Sequence, residues 1–330
     1  HMINISALFS ALKSGTRVYN TALILLCLFM PVIAPAIGQE FYTDVFARTM
    51  IWAIAAVSLN FIMGYGGMIS FGHAVFLGLG GYTVGILAFH GIESAYIQWP
   101  LALLVSGLFA LVIGAICLRT KGVYFIMITL AFAQMVYFLS LSLEVYGSDD
   151  GLNIDTRSDF GLSFFDLNDA MTMYYLIFAV MIGCLYLTHR LVNSRFGMVI
   201  RGSQSNDDRM HSIGYPTYRY KLAAFVIAGV MCGLAGVLSA NFEDFISPDT
   251  MFWPRSGDLI FMVVLGGMGT IFGPLGGAII FGILAEILSN ITDQWHLIFG
   301  PFLILVVLFA RGGLEGLIGK WGLGRDRTDP

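Results

Sequence analysis

Side chains able to do chemistry are sparse in this chain, so their placement carries the argument. Glu286 is the clearest acid within an apolar segment, in Gly282-Ile283-Leu284-Ala285-Glu286-Ile287-Leu288. A carboxylate at mid-membrane costs roughly 2.5–3.5 kcal/mol on insertion scales, so it faces a bundle interior or an aqueous path, or it lies close enough to a surface to reach water. Asn60, Ser70, Thr129 and Gln134 are uncharged polar residues in apolar surroundings. Each either lines a pathway or bonds between helices. His73 stands where a glycine-rich stretch enters a helix, placed to donate to a solute or to freed backbone carbonyls. No other His, Cys or carboxylate stands at ligand spacing from it, which argues against a metal. There is no nucleophile with a base beside it, and Gly319-Lys320, followed by Trp321, lacks the upstream glycine of a phosphate-binding loop. The chain is therefore expected to be non-enzymatic and without a cofactor of its own, any nucleotide chemistry coming from another protein.

A second group of polar residues reads as a docking element. Arg190, Arg195, Arg201, Arg209, Arg219 and Lys221 crowd into one break between apolar segments. Within it Ser205 or Asn206 can cap a short helix with Asp207 and Asp208 in its first turn, His211 near its end, Gly214 at C′ and Pro216 beyond. Each choice suits the helix dipole and the unpaired end groups. Met210 and Ile213 are three residues apart, which predicts a small apolar contact face. Residues from about Arg195 to Pro216, Gly197 included, are expected to meet a partner on the inner face.

The elements that must position these residues are membrane spans. The chain is 57% hydrophobic and 12% charged over 330 residues, with a mean hydropathy of +0.81. That leaves too little polar surface to cover a soluble globule, so the expected partner is a lipid bilayer rather than nucleic acid. Ten apolar segments are expected at about 20–38, 46–63, 73–90, 99–118, 122–143, 171–189, 219–240, 257–270, 275–291 and 296–311. Lys and Arg then fall on one side: Lys13 and Arg17, Arg119 and Lys121, the 190–218 loop, and Arg311, Lys320, Arg325 and Arg327. By the positive-inside rule that side, with both termini, is cytoplasmic. Two acidic loops, Glu144 to Asp169 and Glu243 to Asp258, lie on the other. The expected division is an N-terminal segment 1–19, in which His1 and Met2 read as tag residues, a membrane domain 20–311 and a C-terminal tail 312–330. The four cysteines, Cys27, Cys117, Cys184 and Cys232, sit in apolar segments without paired spacing.

Two stretches interrupt plain spans. One is Gly64-Tyr65-Gly66-Gly67-Met68-Ile69-Ser70-Phe71-Gly72-His73; the other is Gly266-Gly267-Met268-Gly269-Thr270-Ile271-Phe272-Gly273-Pro274. Glycine weakens a helix by up to about 1 kcal/mol per site relative to alanine. A bilayer tolerates unwound backbone only where protein or a water-filled cavity satisfies it. Corresponding breaks in two halves suggest an internal repeat and a transport pathway through Asn60, Gly66, Gly67 and Ser70 on one side and Gly266, Gly267 and Thr270 on the other. Close helix packing through small residues is the alternative.

Taken together, Ser58-Leu59-Asn60, Gly64 to Ala74, Ser194-Arg195-Phe196-Gly197, Ile213-Gly214, Tyr220 to Phe225, Gly233-Leu234-Ala235-Gly236 and Val264 to Pro274 resemble the LivM family of permeases. The resemblance implies an all-α polytopic subunit of a branched-chain amino-acid ABC importer in a bacterial inner membrane. It implies a LivH-like permease partner, or a second copy, two cytoplasmic ATPases that bind ATP and Mg, and a periplasmic binding protein. It also implies that the loop containing Gly214 is the coupling segment. Related permeases serve urea, short amides and aromatic acids, so those solutes stay open, as does, from a different class, an ion-coupled carrier or channel. Ion-coupled carriers generally carry several ionisable groups deep in the membrane, however, and this chain has essentially Glu286 alone.

Overall fold

Each apolar segment read from the sequence contains a helix in the computed structural model, which describes residues 5–36, 38, 41–161, 166–292, 294, 296–309, 312–314 and 316. The helices are α1 (Ile5–Ala36), α2 (Phe41–Met63), α3 (Ala74–Phe89), α4 (Ala95–Cys117), α5 (Val123–Leu141), α6 (Ala170–Val192), α7 (Arg195–Ser205), α8 (Asp207–Ser212), α9 (Thr217–Glu243), α10 (Trp253–Gly266), α11 (Gly273–Ser289) and α12 (His296–Phe309). His1, Met2 and most of the 312–330 tail lie outside the described residues. Helix already begins at Ile5, within the expected N-terminal segment.

Six of these helices are long and apolar enough to cross a bilayer: α1 through Val18–Pro35, α2, α4, α5, α6 and α9. The expected ten spans are thus reached only in part. Helices α3, α10, α11 and α12 run for 16, 14, 17 and 14 residues. Three of the four abut a glycine-rich break, whose backbone ends the helix early. Helix α10 was expected to run to 270 and stops at Gly266, because Gly267 has φ +122°.

Helix α2 is buried on every face from Ala53 to Met63, and α9 is almost as fully enclosed between Met231 and Asn241. A helix apolar all round belongs inside a bundle. These two pack against each other; α3 and α4 close on α9, and α6, α10 and α11 on α2. The α3–α9 contact is a meeting of small residues: a side chain at Gly80 would overlap the Gly233 carbonyl, and one at Gly236 the Leu77 carbonyl. On the rim Leu104, Leu108 and Val112 of α4 and Phe138 of α5 are exposed, as lipid-facing residues would be. All four cysteines are free and buried.

The two acidic loops join. Leu152–Asn153 (β1) pairs antiparallel with Phe245–Ile246 (β2). Arg157 then grips Asp244 with two hydrogen bonds of 2.7 Å and donates a third to the Leu167 carbonyl at 2.8 Å. The loops also carry short 3-10 helices at Glu144–Tyr146, Ser148–Asp150 and Pro248–Met251.

Candidate functional site

Residues 64–73 of the first glycine-rich stretch and 267–272 of the second are non-helical, while Gly266, Gly273 and Pro274 belong to the helices that flank the second. The two stretches meet at one point. A Cβ at Gly269 would lie 3.3 Å from the Gly64 carbonyl oxygen. Beside that contact Asn60, fully buried on α2, donates through Nδ2 to the Thr270 carbonyl at 2.7 Å and accepts from the Gly269 N–H at 3.0 Å. One side-chain amide thereby satisfies two backbone groups that the second break frees. Thr270 closes its own turn, donating to the Gly267 carbonyl at 2.8 Å and accepting from the Gly273 N–H at 3.1 Å. Gly266 is pressed against the Gly273 carbonyl, where a side chain would overlap it.

The first break is also held from the loop between α6 and α9. Gln204, on the last turn of α7, reaches the Gly64 carbonyl through Nε2 at 3.4 Å, and its Cγ lies 3.0 Å from where a Cβ on Gly67 would stand. A Cβ at Gly66 would come within 2.8 Å of Met68. A groove of about 540 Å³ runs between this break, Lys121 and Gly122 of the α4–α5 connection, and Gln204 to Asp208.

That loop contains two helices where the sequence suggests one. Ser194 caps α7 by accepting from the Gly197 N–H at 3.4 Å, and Gly197 rests on the Leu191 and Val192 carbonyls. Asn206 ends α7 and caps α8, accepting from the Arg209 N–H at 2.9 Å. Ile213 is the C-cap of α8 and Gly214 follows at φ +94°. The Gly214 N–H bonds the His211 carbonyl at 2.9 Å and the Tyr215 N–H the Met210 carbonyl at 3.2 Å, which is a Schellman motif. Phe196 and Tyr215 both pack on Tyr220 of α9.

Asp207 does more than complement a helix dipole. Its carboxylate bridges Lys121 at 2.9 Å and Lys221 at 3.0 Å, fastening α8 to the α4–α5 connection and to α9. Partial burial works to raise its pKa, but hydrogen bonds from Lys121, Lys221 and Thr217 outweigh it and hold the carboxyl at about 2. The same hydrogen bond pushes Lys121 above the usual amine range. Lys221 therefore faces inward and does not add to a free basic flank, whereas Arg195, Asp208 and Arg209 are exposed. The expected shared face of Met210 and Ile213 is corrected too: Met210 packs on Gly202 of α7, leaving Ile213 64% exposed by itself.

The other polar residues separate. His73 is fully buried, with Nε2 2.8 Å from the Ser58 hydroxyl. The Ser58 hydroxyl also bonds the Ala55 carbonyl one turn earlier, at 2.7 Å. In this conformation His73 braces α2 and is not open to a solute. Ser70 is buried and accepts from the Gly72 N–H at 3.3 Å, while Thr129 of α5 accepts from the Phe71 N–H at 3.3 Å. The Gln134 Nε2 is buried without a partner among the described residues. Glu286 stands apart from all of these, near the end of α11, in the wall of a cavity of about 440 Å³ at the end of the bundle opposite α7 and α8. Arg48, Glu243, Arg255 and Asp258 share that wall, and sequence reading missed them because they lie on three different elements.

A family model described as the branched-chain amino acid transport system permease component matches residues 41–309. The high-affinity branched-chain amino acid transport system permease protein LivM of Salmonella typhimurium is 26% identical, the alignment covering 91% of this chain and 76% of the relative. A probable branched-chain amino acid transport permease protein LivM of Methanocaldococcus jannaschii is 22% identical over 82% of this chain and 93% of its own length. The LivH permease protein of the Escherichia coli system is 34% identical over 44% of this chain and 48% of its own. No solved structure matches significantly.

Proposed function

The chain belongs to the family of branched-chain amino acid transport system permease components, and on that premise we propose that it is the transmembrane permease subunit of an ABC importer for branched-chain or related amino acids. ATP hydrolysis then belongs to separate cytoplasmic ATPases, two per complex, with a LivH-like permease beside this chain and a periplasmic binding protein delivering the solute. The end bearing α7 and α8 and both termini face the cytoplasm of a bacterial inner membrane in this reading, and the β1–β2 end faces the periplasm. Helices α3, α10, α11 and α12 complete about ten membrane segments. The hairpins α2–break–α3 and α10–break–α11 are the two related halves of the pathway.

The observation that carries the proposal is the linkage from Gln204 to Gly64, and from there to Gly269 and Asn60, beside the Asp207 pairs with Lys121 and Lys221 that fasten α8 to the bundle. A doubly capped surface element is fixed to the bundle by ion pairs and ends on the backbone where both breaks meet. ATP-driven closure of motor subunits against α7 and α8 would displace that point as a rigid-body switch. Co-purification from native membranes followed by uptake in proteoliposomes tests it. The expected result is association with two ATPases and a second permease, with ATP-dependent uptake of labelled leucine or a chemically related amino acid. A chain that purifies without any ATPase and supports ion-gradient-driven uptake would overturn it.

A further inference from the structure

We infer that the cavity around Glu286 is a binding site for a zwitterionic α-amino acid with an apolar side chain. The inference deepens the importer reading and rests on it for the class of solute. At about 440 Å³ the cavity lies within the range of small-molecule sites, roughly 300–1,000 Å³. Its wall is divided by chemistry. Trp52, Met262, Ala278 and Phe281 supply apolar surface, while Arg48, Arg255 and three acids supply charge of both signs.

The charges are not equivalent. Arg48 Nε pairs with Glu243 at 3.2 Å, and Arg255 Nη1 approaches Asp258 at 3.7 Å. Among the described residues no cation pairs with Glu286. A guanidinium has five N–H donors, so each arginine keeps donors for a carboxylate after its salt bridge is made. Arg255 is further held with Cζ 5.8 Å from the Trp52 ring centroid, which fixes its stem against the apolar wall. Glu286 is thus the acceptor for an ammonium group, Arg255 and Arg48 are the donors for a carboxylate, and the apolar wall covers the side chain. Urea and short amides carry neither charge, and aromatic acids without an amine would leave Glu286 unpaired.

The test uses the full chain in lipid nanodiscs with saturation-transfer NMR, empty nanodiscs being subtracted. The probes are L-leucine, 4-methylpentanoate, which lacks the ammonium, and 3-methylbutylamine, which lacks the carboxylate. Leucine is expected to bind best, each analogue about tenfold more weakly, as the loss of one charge-assisted hydrogen bond implies. Glu286→Gln should remove the advantage of leucine over 4-methylpentanoate, and Arg255→Gln its advantage over 3-methylbutylamine. Ala285→Trp, which fills the cavity without removing a charge, should abolish saturation of leucine. Equal saturation of the three probes, no saturation of leucine, or leucine binding unchanged in all three variants would overturn the site. The assay needs neither ATPases nor a second permease, so failure here leaves the importer reading intact, while a failure to co-purify with ATPases leaves the binding result readable.

Discussion

Asn60 and Thr270, 210 positions apart in sequence, are joined by a 2.7 Å hydrogen bond from the Asn60 amide to the Thr270 carbonyl, and the same side chain accepts from the neighbouring Gly269 N–H. Removing that side chain strands a backbone donor and an acceptor together. Asn60→Ala should cost about 1–3 kcal/mol. A lowered thermal midpoint in nanodiscs relative to Ser289→Ala, whose hydroxyl is exposed, is the expected reading.

Asp207 makes the attachment of α8 sensitive to acid. Its pKa of about 2 lies below the ordinary 3.8, so its ion pairs stabilise the attached form fully above about pH 4 and are lost as pH falls towards 2. Protection of the amides of residues 207–215, measured against the exchange rate of the unstructured peptide at the same pH, should fall over that interval in the native chain. In Asp207→Asn that protection should already be low at pH 7 and change little with acid.

Gly214 has φ +94° and open space around it, so substitution there is penalised by backbone conformation alone. Gly214→Val should cost about 1–2 kcal/mol locally, and Gly214→Asn less, because asparagine tolerates the left-handed region. On the importer reading Gly214→Val lowers the uptake achieved per ATP hydrolysed in proteoliposomes, and Gly214→Asn restores most of it.

The Arg157–Asp244 pair is bidentate and partly exposed, at 20% and 45% for the two side chains. A double-mutant cycle with Arg157→Ala and Asp244→Ala should return a coupling of about 1 kcal/mol that shrinks as salt is raised. A coupling indistinguishable from zero at low salt would show that β1 and β2 hold the two loops by themselves.

What sequence made legible divides by range. Helix α8 was readable because its signals are local: Asn206 at one end, Gly214 and Pro216 at the other. Helix α7 was missed although Ser194 caps it, since Gly197 and Gly202 inside it resemble loop punctuation; both are there to let Leu191, Val192 and Met210 come close. The non-helical breaks were legible from glycine density. Their junction through Asn60 was not, because no local pattern marks an asparagine that bonds a carbonyl 210 residues away. The wall around Glu286 was hidden for the same reason. The β1–β2 pair was beyond reading as well, for two residues in each strand carry no alternation.

The four native thiols are all sequestered within the helices, and this makes the chain a nearly silent background for chemical mapping. A membrane-impermeant maleimide should leave the native protein unmodified, so a single new cysteine becomes a beacon without stripping out the others. Placed at Ser205 it should stay dark in intact cells and light up in inverted vesicles, and at Asp150 the pattern should reverse. The burial of Cys27, Cys117, Cys184 and Cys232 thereby turns sidedness into a question that one engineered residue can answer.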